Sequence, residues 1–237
     1  MTRLGPLALA SVLLLPLLLQ GCSQYSEPAA TQSQPANFPD SFFLQADPSQ
    51  VYKIDSQFSQ IIVTVRRGGL MARLGHDHIV ASNQVQGYIY LDRENQQCRA
   101  QLFVPLTLLE VDNPQLRATA AMSTKPSAAD IQGTTSNMLT SIEIQKFPFA
   151  QLQSPDCSAA LNNQPAPVEL SIHGVTQHLA VPINLQQANN SQLFISGNFT
   201  ILQSDFAIEP FSIMNGLLKV QDRLQLSFQL RAQTTQQ

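Results

Sequence analysis

The fold is decided by the stretches Leu193-Phe-Ile-Ser-Gly-Asn-Phe-Thr-Ile201 and Leu224-Gln-Leu-Ser-Phe-Gln-Leu230, in which an apolar residue or glycine recurs at every second position. Val168–Ile172 and Leu179–Leu185 repeat this alternation. Successive side chains of a strand point to opposite faces, so each stretch has one apolar face and one polar face. Several such strands must bury their apolar faces against one another, in a barrel or in a sandwich.

The alternation continues toward the N-terminus, and one helix interrupts it. Strands are predicted at Ile61–Val65, Val85–Leu91, Ala100–Leu106 and Phe149–Ser154. Ser127-Ala-Ala-Asp130 resembles a capping box, and apolar residues at helical spacing follow it, which predicts a helix up to about Ser141. Strands on both sides of a single helix indicate a mainly β, antiparallel domain of one sheet system and not a βαβ protein.

The N-terminus indicates export. A basic start is followed by an apolar run from Leu4 to Leu19, which is typical of a secretory signal. Leu19-Gln-Gly-Cys22 resembles a bacterial lipobox, which implies a signal peptide over 1–21 and a lipid on Cys22. The residue after the lipidated cysteine usually determines the membrane in which a bacterial lipoprotein is anchored, and Ser23 at this position favours the outer membrane. The alternative is a plain signal peptide with an incidental cysteine.

Composition divides the remaining chain. Residues 22–50 are polar and proline-bearing, which predicts a flexible tether, although Phe42-Phe43-Leu44 could pack on the domain. The folded domain is expected over 51–232, with a short disordered tail over 233–237. Charged residues make up 12% of the chain, its net charge is −3, and no basic stripe appears, so nucleic-acid binding is not expected.

Two further cysteines, Cys98 and Cys157, each flank a predicted strand. Because an exported compartment is oxidising, we expect a disulfide between them. Two buried free thiols are the alternative, since the sequence does not give the distance between their Cα atoms.

Several motifs together resemble the YceI-like family, whose members fold as lipocalin-like barrels and bind polyisoprenoid lipids. They are Tyr52-Lys-Ile-Asp55 with Phe58-Ser-Gln-Ile61, Gly87-Tyr-Ile-Tyr-Leu-Asp92, Phe147-Pro148, Leu170-Ser-Ile-His-Gly-Val-Thr176, Ser204-Asp-Phe-Ala-Ile208 and Val220-Gln-Asp222. The resemblance implies an antiparallel barrel of about eight strands, which is wide enough for one small ligand. It also implies that this ligand is a long isoprenoid chain, such as the tail of a quinone or of a polyprenyl carrier.

The apolar faces of the predicted strands would line the lumen of such a barrel. The expected lumen residues are Ile61, Val63, Ile89, Leu102, Val104, Leu170, Ile172, Leu193, Ile195, Phe199, Leu224, Leu226 and Phe228. None of them is charged, so a lipid tail would be held by burial alone, at about 0.8 kcal/mol per methylene. The alternative is that these side chains fill a solid core, as in a structural or interaction module.

His76-Asp-His78 is the sharpest local cluster. Two histidines at i and i+2 of an extended segment point to the same side and suit two ligands of a zinc or copper ion, with His173 or His178 as a third. The alternative is a turn in which these side chains bond the backbone. His173 is expected to be a structural imidazole in its turn, and His178 to face solvent.

No motif of a known catalytic class is present: there is no G-x-S-x-G elbow, P-loop or Rossmann fingerprint. The sequence therefore predicts a non-enzymatic envelope lipoprotein that carries or sequesters an isoprenoid lipid and contacts the membrane through its N-terminal anchor. A metal-binding or redox-linked envelope protein is the alternative. The sequence leaves the oligomeric state open.

Overall fold

The computed structural model describes residues 33–189 and 191–236. The expected signal peptide and the lipidated Cys22 lie outside these residues. No helix in the described part of the chain is long and apolar enough to cross a bilayer.

One antiparallel sheet organises the described residues. Its strands are β1 (Val51–Ile54), β2 (Gln60–Gly68), β3 (His78–Ser82), β4 (Gln86–Asp92), β5 (Gln97–Pro105), β6 (Glu110–Val111), β7 (Phe149–Ser154), β8 (Ala166–Ile172), β9 (Val175–Val181), β10 (Ile183–Asn189), β11 (Gln192–Leu202), β12 (Ser212–Ile213) and β13 (Leu218–Thr234). The mainly β, antiparallel prediction is confirmed. The described part of the chain has thirteen strands and not about eight. Two of them, β6 and β12, have only two residues, and β9 and β10 are one extended segment divided at Pro182, which leaves ten longer segments.

Strand β13 is the longest strand and pairs with four other strands. Over its 17 residues it pairs with β11 and β12 along one edge, and with β2 and then β1 along the other. From β1 the pairing continues through β4, β5, β7 and β8 to β9, and from β2 it continues through β3 to β6. β10 pairs with β11. The segment 175–189, divided at Pro182, therefore pairs with β8 by its first half and with β11 by its second half.

Three α-helices accompany the sheet in the described part of the chain, together with several short 3-10 turns. The α-helices are α1 (Ser41–Gln45), α2 (Pro114–Thr119) and α3 (Ala128–Ser141). The capping box of Ser127 and Asp130 is present, so the start of α3 is as predicted. The prediction of a single helix is wrong, because α1 and α2 are also present. They could not be predicted, since both are too short to show a helical repeat in the sequence. Each begins instead at a polar cap, Asp40 and Asn113 respectively.

Described residues on both sides of the predicted 51–232 domain pack against it or continue its last strand. Phe43 of α1 is buried beside Val51 and Tyr90, and Phe38 packs edge-on to Phe103 with ring centroids 4.6 Å apart. Tyr90 alternates along β4 with the inward-facing Ile89, so it projects from the outer face of the sheet. The aromatic residues that interrupt the expected tether therefore cover outward-facing aromatics, and β13 itself runs to Thr234.

Gly87 allows β4 and β5 to lie close together. A Cβ on Gly87 would be 2.4 Å from the carbonyl oxygen of Gln101 and 2.4 Å from the side chain of Leu102. No side chain fits there, so the close backbone approach expected from this glycine is confirmed.

Candidate functional site

An apolar cavity of about 670 Å³ lies against the apolar face of the sheet. Alternate residues of the strands face the cavity. The same alternation of apolar and polar residues that predicted the strands places apolar side chains on only one face of each strand. Twelve of the thirteen expected lumen residues line this cavity: Ile61, Val63, Ile89, Leu102, Val104, Leu170, Ile172, Ile195, Phe199, Leu224, Leu226 and Phe228. Ligand pockets commonly have volumes of about 300–1,000 Å³, so the space is large enough for a guest molecule.

Leu193 is the exception. It is fully buried in the core cluster that includes Tyr52 and Ala232, its register partner on β13, and it does not line the cavity. Leu193 faces the same side as Ile195, but it lies at the end of β11 where the interior is filled. Alternation gives the face of a residue and not its depth along the strand, so the prediction for Leu193 is wrong.

Lining residues that sequence reasoning missed come from two sources. Ala100, Ile183 and Leu185 belong to strand faces that were recognised but not assigned to the lumen. Gly133 and Met138 belong to α3, which contributes one helical face to the cavity boundary. No residue of α3 is buried, so the helix borders the cavity without being part of the core.

Charged and polar groups collect at the end of the cavity beside α3. Arg66, Arg67, His76, His78 and Asp130 are all among its lining residues. The two histidines have ring centroids 6.2 Å apart, so both face the same region as their spacing predicts. The His76 ring lies 3.8 Å from the carboxylate of Asp130, and its buried Nδ1 has no hydrogen-bond partner.

Asp77 turns away from the two histidines and bonds arginines. Its carboxylate accepts from Arg66 Nη1 at 2.9 Å and from the backbone N–H of Arg67 at 3.0 Å. Burial raises the pKa of Asp77, but these hydrogen bonds and the two guanidinium groups outweigh burial and lower it. Asp77 therefore fixes the end of β2 against the loop before β3.

His78 belongs to a buried ionic network. Its Nδ1 donates to Asp112 Oδ2 at 2.6 Å, and Asp112 also accepts from the backbone N–H of Ile79 at 3.0 Å and from the guanidinium of Arg117. Burial raises the pKa of Asp112, yet the hydrogen bonds from these three donors outweigh burial and hold it below its usual value. The network fixes the orientation of the His78 ring at the cavity wall.

The proposed third metal ligands lie elsewhere. His173 donates from Nδ1 to the carbonyl of Phe206 at 3.1 Å, the structural role expected of it, and His178 is an exposed side chain beside Glu169. Neither joins His76 and His78. Within residues 33–189 and 191–236, no group of three or more His, Cys, Asp or Glu side chains is arranged to hold a metal ion.

Cys98 and Cys157 form a disulfide, with their Cα atoms 4.8 Å apart. The expectation of a bridge is confirmed. The bond joins the start of β5 to the short helical turn before β8, and both cysteines border the cavity.

Residues 52–232 match the model of the YceI-like domain. The chain belongs to the YceI-like domain family. Among curated proteins, none matches the sequence. Two solved structures share the fold of this YceI-like chain. A polyisoprenoid-binding domain from Saccharophagus degradans, implicated in plant cell wall breakdown, is 14% identical, with a TM-score of 0.55 over 77% of this chain and 98% of that one. BcnA of Burkholderia cenocepacia is 16% identical, with a TM-score of 0.53 over 75% of this chain and 98% of BcnA.

Proposed function

We propose that this YceI-like protein binds one long isoprenoid chain, such as a polyprenyl or quinone tail, in its apolar cavity. The observation that carries the proposal is the cavity of about 670 Å³, whose lining is mostly aliphatic and aromatic, with charged and polar residues such as Arg66 and His78 at one end. A solid-core structural module would not need this space. The Saccharophagus domain of the same fold, described as polyisoprenoid-binding, supports the choice of ligand class.

Burial alone is strong enough to hold such a ligand. Each buried methylene contributes about 0.8 kcal/mol, so a tail of about twenty carbons gains about 16 kcal/mol; after an association cost on the order of 8 kcal/mol, about 8 kcal/mol remains, which corresponds to micromolar affinity. The terminal polar group of the lipid would lie at the polar end of the cavity. There the His78 ring, held by Asp112, and the Arg66 guanidinium supply hydrogen-bonding groups.

The proposal includes closure of the sheet into a lipocalin-like barrel. Its support is the segment 175–189, which pairs with β8 on one side of Pro182 and with β11 on the other. The pairing circuit from β13 through β1, β4, β5, β7 and β8 then returns to β13 through β11. A closed sheet would leave few open edges and keep the tail out of water.

The cellular role that we propose is based on the N-terminal sequence. A signal peptide ending before Cys22 would place the protein in the cell envelope as a lipoprotein, facing the periplasm and anchored in the outer membrane. A tethered binding protein of this kind would carry or sequester the lipid without chemical change.

Native mass spectrometry of the full chain incubated with geranylgeraniol tests the proposal. We expect one bound molecule per chain, and loss of that adduct in Leu226→Asp, which places a charge on the cavity wall. Phe194→Asp is the matched control, since Phe194 is exposed and does not line the cavity. Circular dichroism establishes that both variants fold. Absence of an adduct with the wild-type chain well above micromolar ligand would refute the proposal.

A further inference from the structure

Exposed apolar side chains concentrate at one end of the molecule. Ten large hydrophobic side chains are exposed in the described part of the chain, and six of them come from two loops that flank the ends of β2 and β13. We call these six residues the apolar rim: Leu70, Leu74, Phe211, Ile213, Met214 and Leu217. Single exposed hydrophobic residues are ordinary, but a contiguous group on a protein surface indicates a partner.

The two loops are held together by backbone bonds. The N–H of Met71 donates to the carbonyl of Leu217 at 2.8 Å, and Ile213 of β12 is paired with Leu218 of β13. A Cβ on Gly69 would be 2.4 Å from the same Leu217 carbonyl, so the loops are in direct contact. The apolar rim is therefore one surface. Leu70 is its most exposed member, at 90%.

The apolar rim is continuous with the cavity. Leu74, Phe211 and Ile213 belong to the rim and also line the cavity. Beside Arg66, Arg67 and His76, which line the cavity at this same end, apolar side chains therefore run from the interior to the outside at these three positions. A lipid tail leaving the cavity along them would remain in contact with apolar groups until it left the protein.

Positive charge accompanies this surface. Residues 66–77 and 209–219 carry four Lys or Arg and two Asp or Glu side chains, a local net charge of +2, whereas the whole chain carries −3. Apolar side chains flanked by cationic ones suit an anionic lipid surface, because the first enter the acyl region while the second remain with the headgroups.

We propose that the apolar rim docks on an anionic phospholipid bilayer and opens the cavity directly onto it. This membrane contact is separate from the N-terminal anchor. Its purpose would be the transfer of an isoprenoid tail between the bilayer and the cavity, and only this purpose rests on the proposed function. Loops 66–77 and 209–219 make the contact, with Leu70 placed deepest.

The test uses fluorescence, because the chain contains no tryptophan. In the full chain, Leu70→Trp places a single probe on the apolar rim. Phe58→Trp is the matched control: Phe58 is also exposed, at 60%, but it precedes β2, whose nine residues separate it from the rim by about 30 Å. Each variant is mixed with phosphatidylglycerol vesicles that contain brominated acyl chains, and with phosphatidylcholine vesicles of the same kind.

We expect the Trp introduced at position 70 to shift to shorter wavelength and to be quenched several-fold more than the control probe, with the effect weakened in phosphatidylcholine. Equal quenching of both probes would assign membrane contact to the N-terminus and overturn the proposal, as would no quenching at position 70. Equal quenching in both lipids would refute the role of charge. A blue shift that rises with protein concentration without vesicles would assign the apolar rim to self-association instead. The readout needs no bound isoprenoid, so its failure is distinct from failure of cavity binding.

Discussion

Filling the cavity with protein should displace ligand without harming the fold. Ala100 lies on β5 between Ile89 of β4 and Ser154 of β7, and its side chain borders the cavity. Ala100→Leu adds three carbon atoms at this wall. If they take the place of about three tail carbons, binding weakens by about 2.4 kcal/mol, which is about 60-fold in the dissociation constant.

The same substitution distinguishes an open interior from a filled one. In a close-packed core, added methylenes cost about 1–3 kcal/mol of stability. In an open cavity the larger side chain gains apolar contact, so the free energy of unfolding of the ligand-free protein should not fall. Urea denaturation measures the stability, and calorimetric titration with geranylgeraniol measures the affinity.

Ala180→Leu is the matched control, since Ala180 lies on β9 with its side chain exposed to solvent. The same change in size there should leave both the affinity and the stability nearly unchanged. The reasoning is refuted if Ala100→Leu binds ligand as tightly as the wild type while losing stability. That result would mean that the interior is already filled by side chains and contains no open cavity.

Three further predictions concern stability. Replacing Cys98 and Cys157 together by Ala removes a bridge across 59 residues, so the free energy of unfolding should fall by up to about 4 kcal/mol in chemical denaturation; an unchanged midpoint would contradict this. The pKa of Asp112 is lowered on folding, so the stability that its carboxylate contributes is present above the unfolded pKa of about 3.9 and is lost as pH falls through the lower folded pKa. Asp112→Asn should therefore flatten the acid limb of the stability curve, and it should cost about 3–5 kcal/mol at neutral pH because the buried Arg117 loses its carboxylate partner. Gly87→Ala should lower the melting temperature of the protein, because the new Cβ would collide with the backbone of Gln101 and Leu102. Gly133→Ala in helix α3 is the control: its Cβ would have no atom within 4 Å, so this change should stabilise the protein by up to about 1 kcal/mol.

The strands and the main helix could be predicted because their signals are local. Alternation along Leu224–Leu230 fixes which side chains face inward, and the capping box at Ser127 fixes where α3 begins. The cavity could be anticipated for the same reason. Leu193 was misplaced because depth along a strand depends on what fills that end of the sheet, and alternation carries no such information.

The polar end of the site could be predicted only in part. The spacing of His76 and His78 placed both rings on one side, as found. Their partners could not be predicted: Asp112 is 34 residues from His78 in the sequence, and the pairing is created by the return of β6 beside β3. The apolar rim has the same origin, since Leu70 and Leu217 become neighbours only through the pairing of β2 with β13.

The most direct test of the central claim is a measurement of intermolecular nuclear Overhauser effects between a bound isoprenoid and isotope-labelled methyl groups. Cavity binding predicts contacts from the lipid tail to Ile89, Ile195 and Leu226, which line the cavity on three different strands. Contacts restricted to exposed methyl groups such as those of Leu44 or Leu108, with none inside, would contradict it.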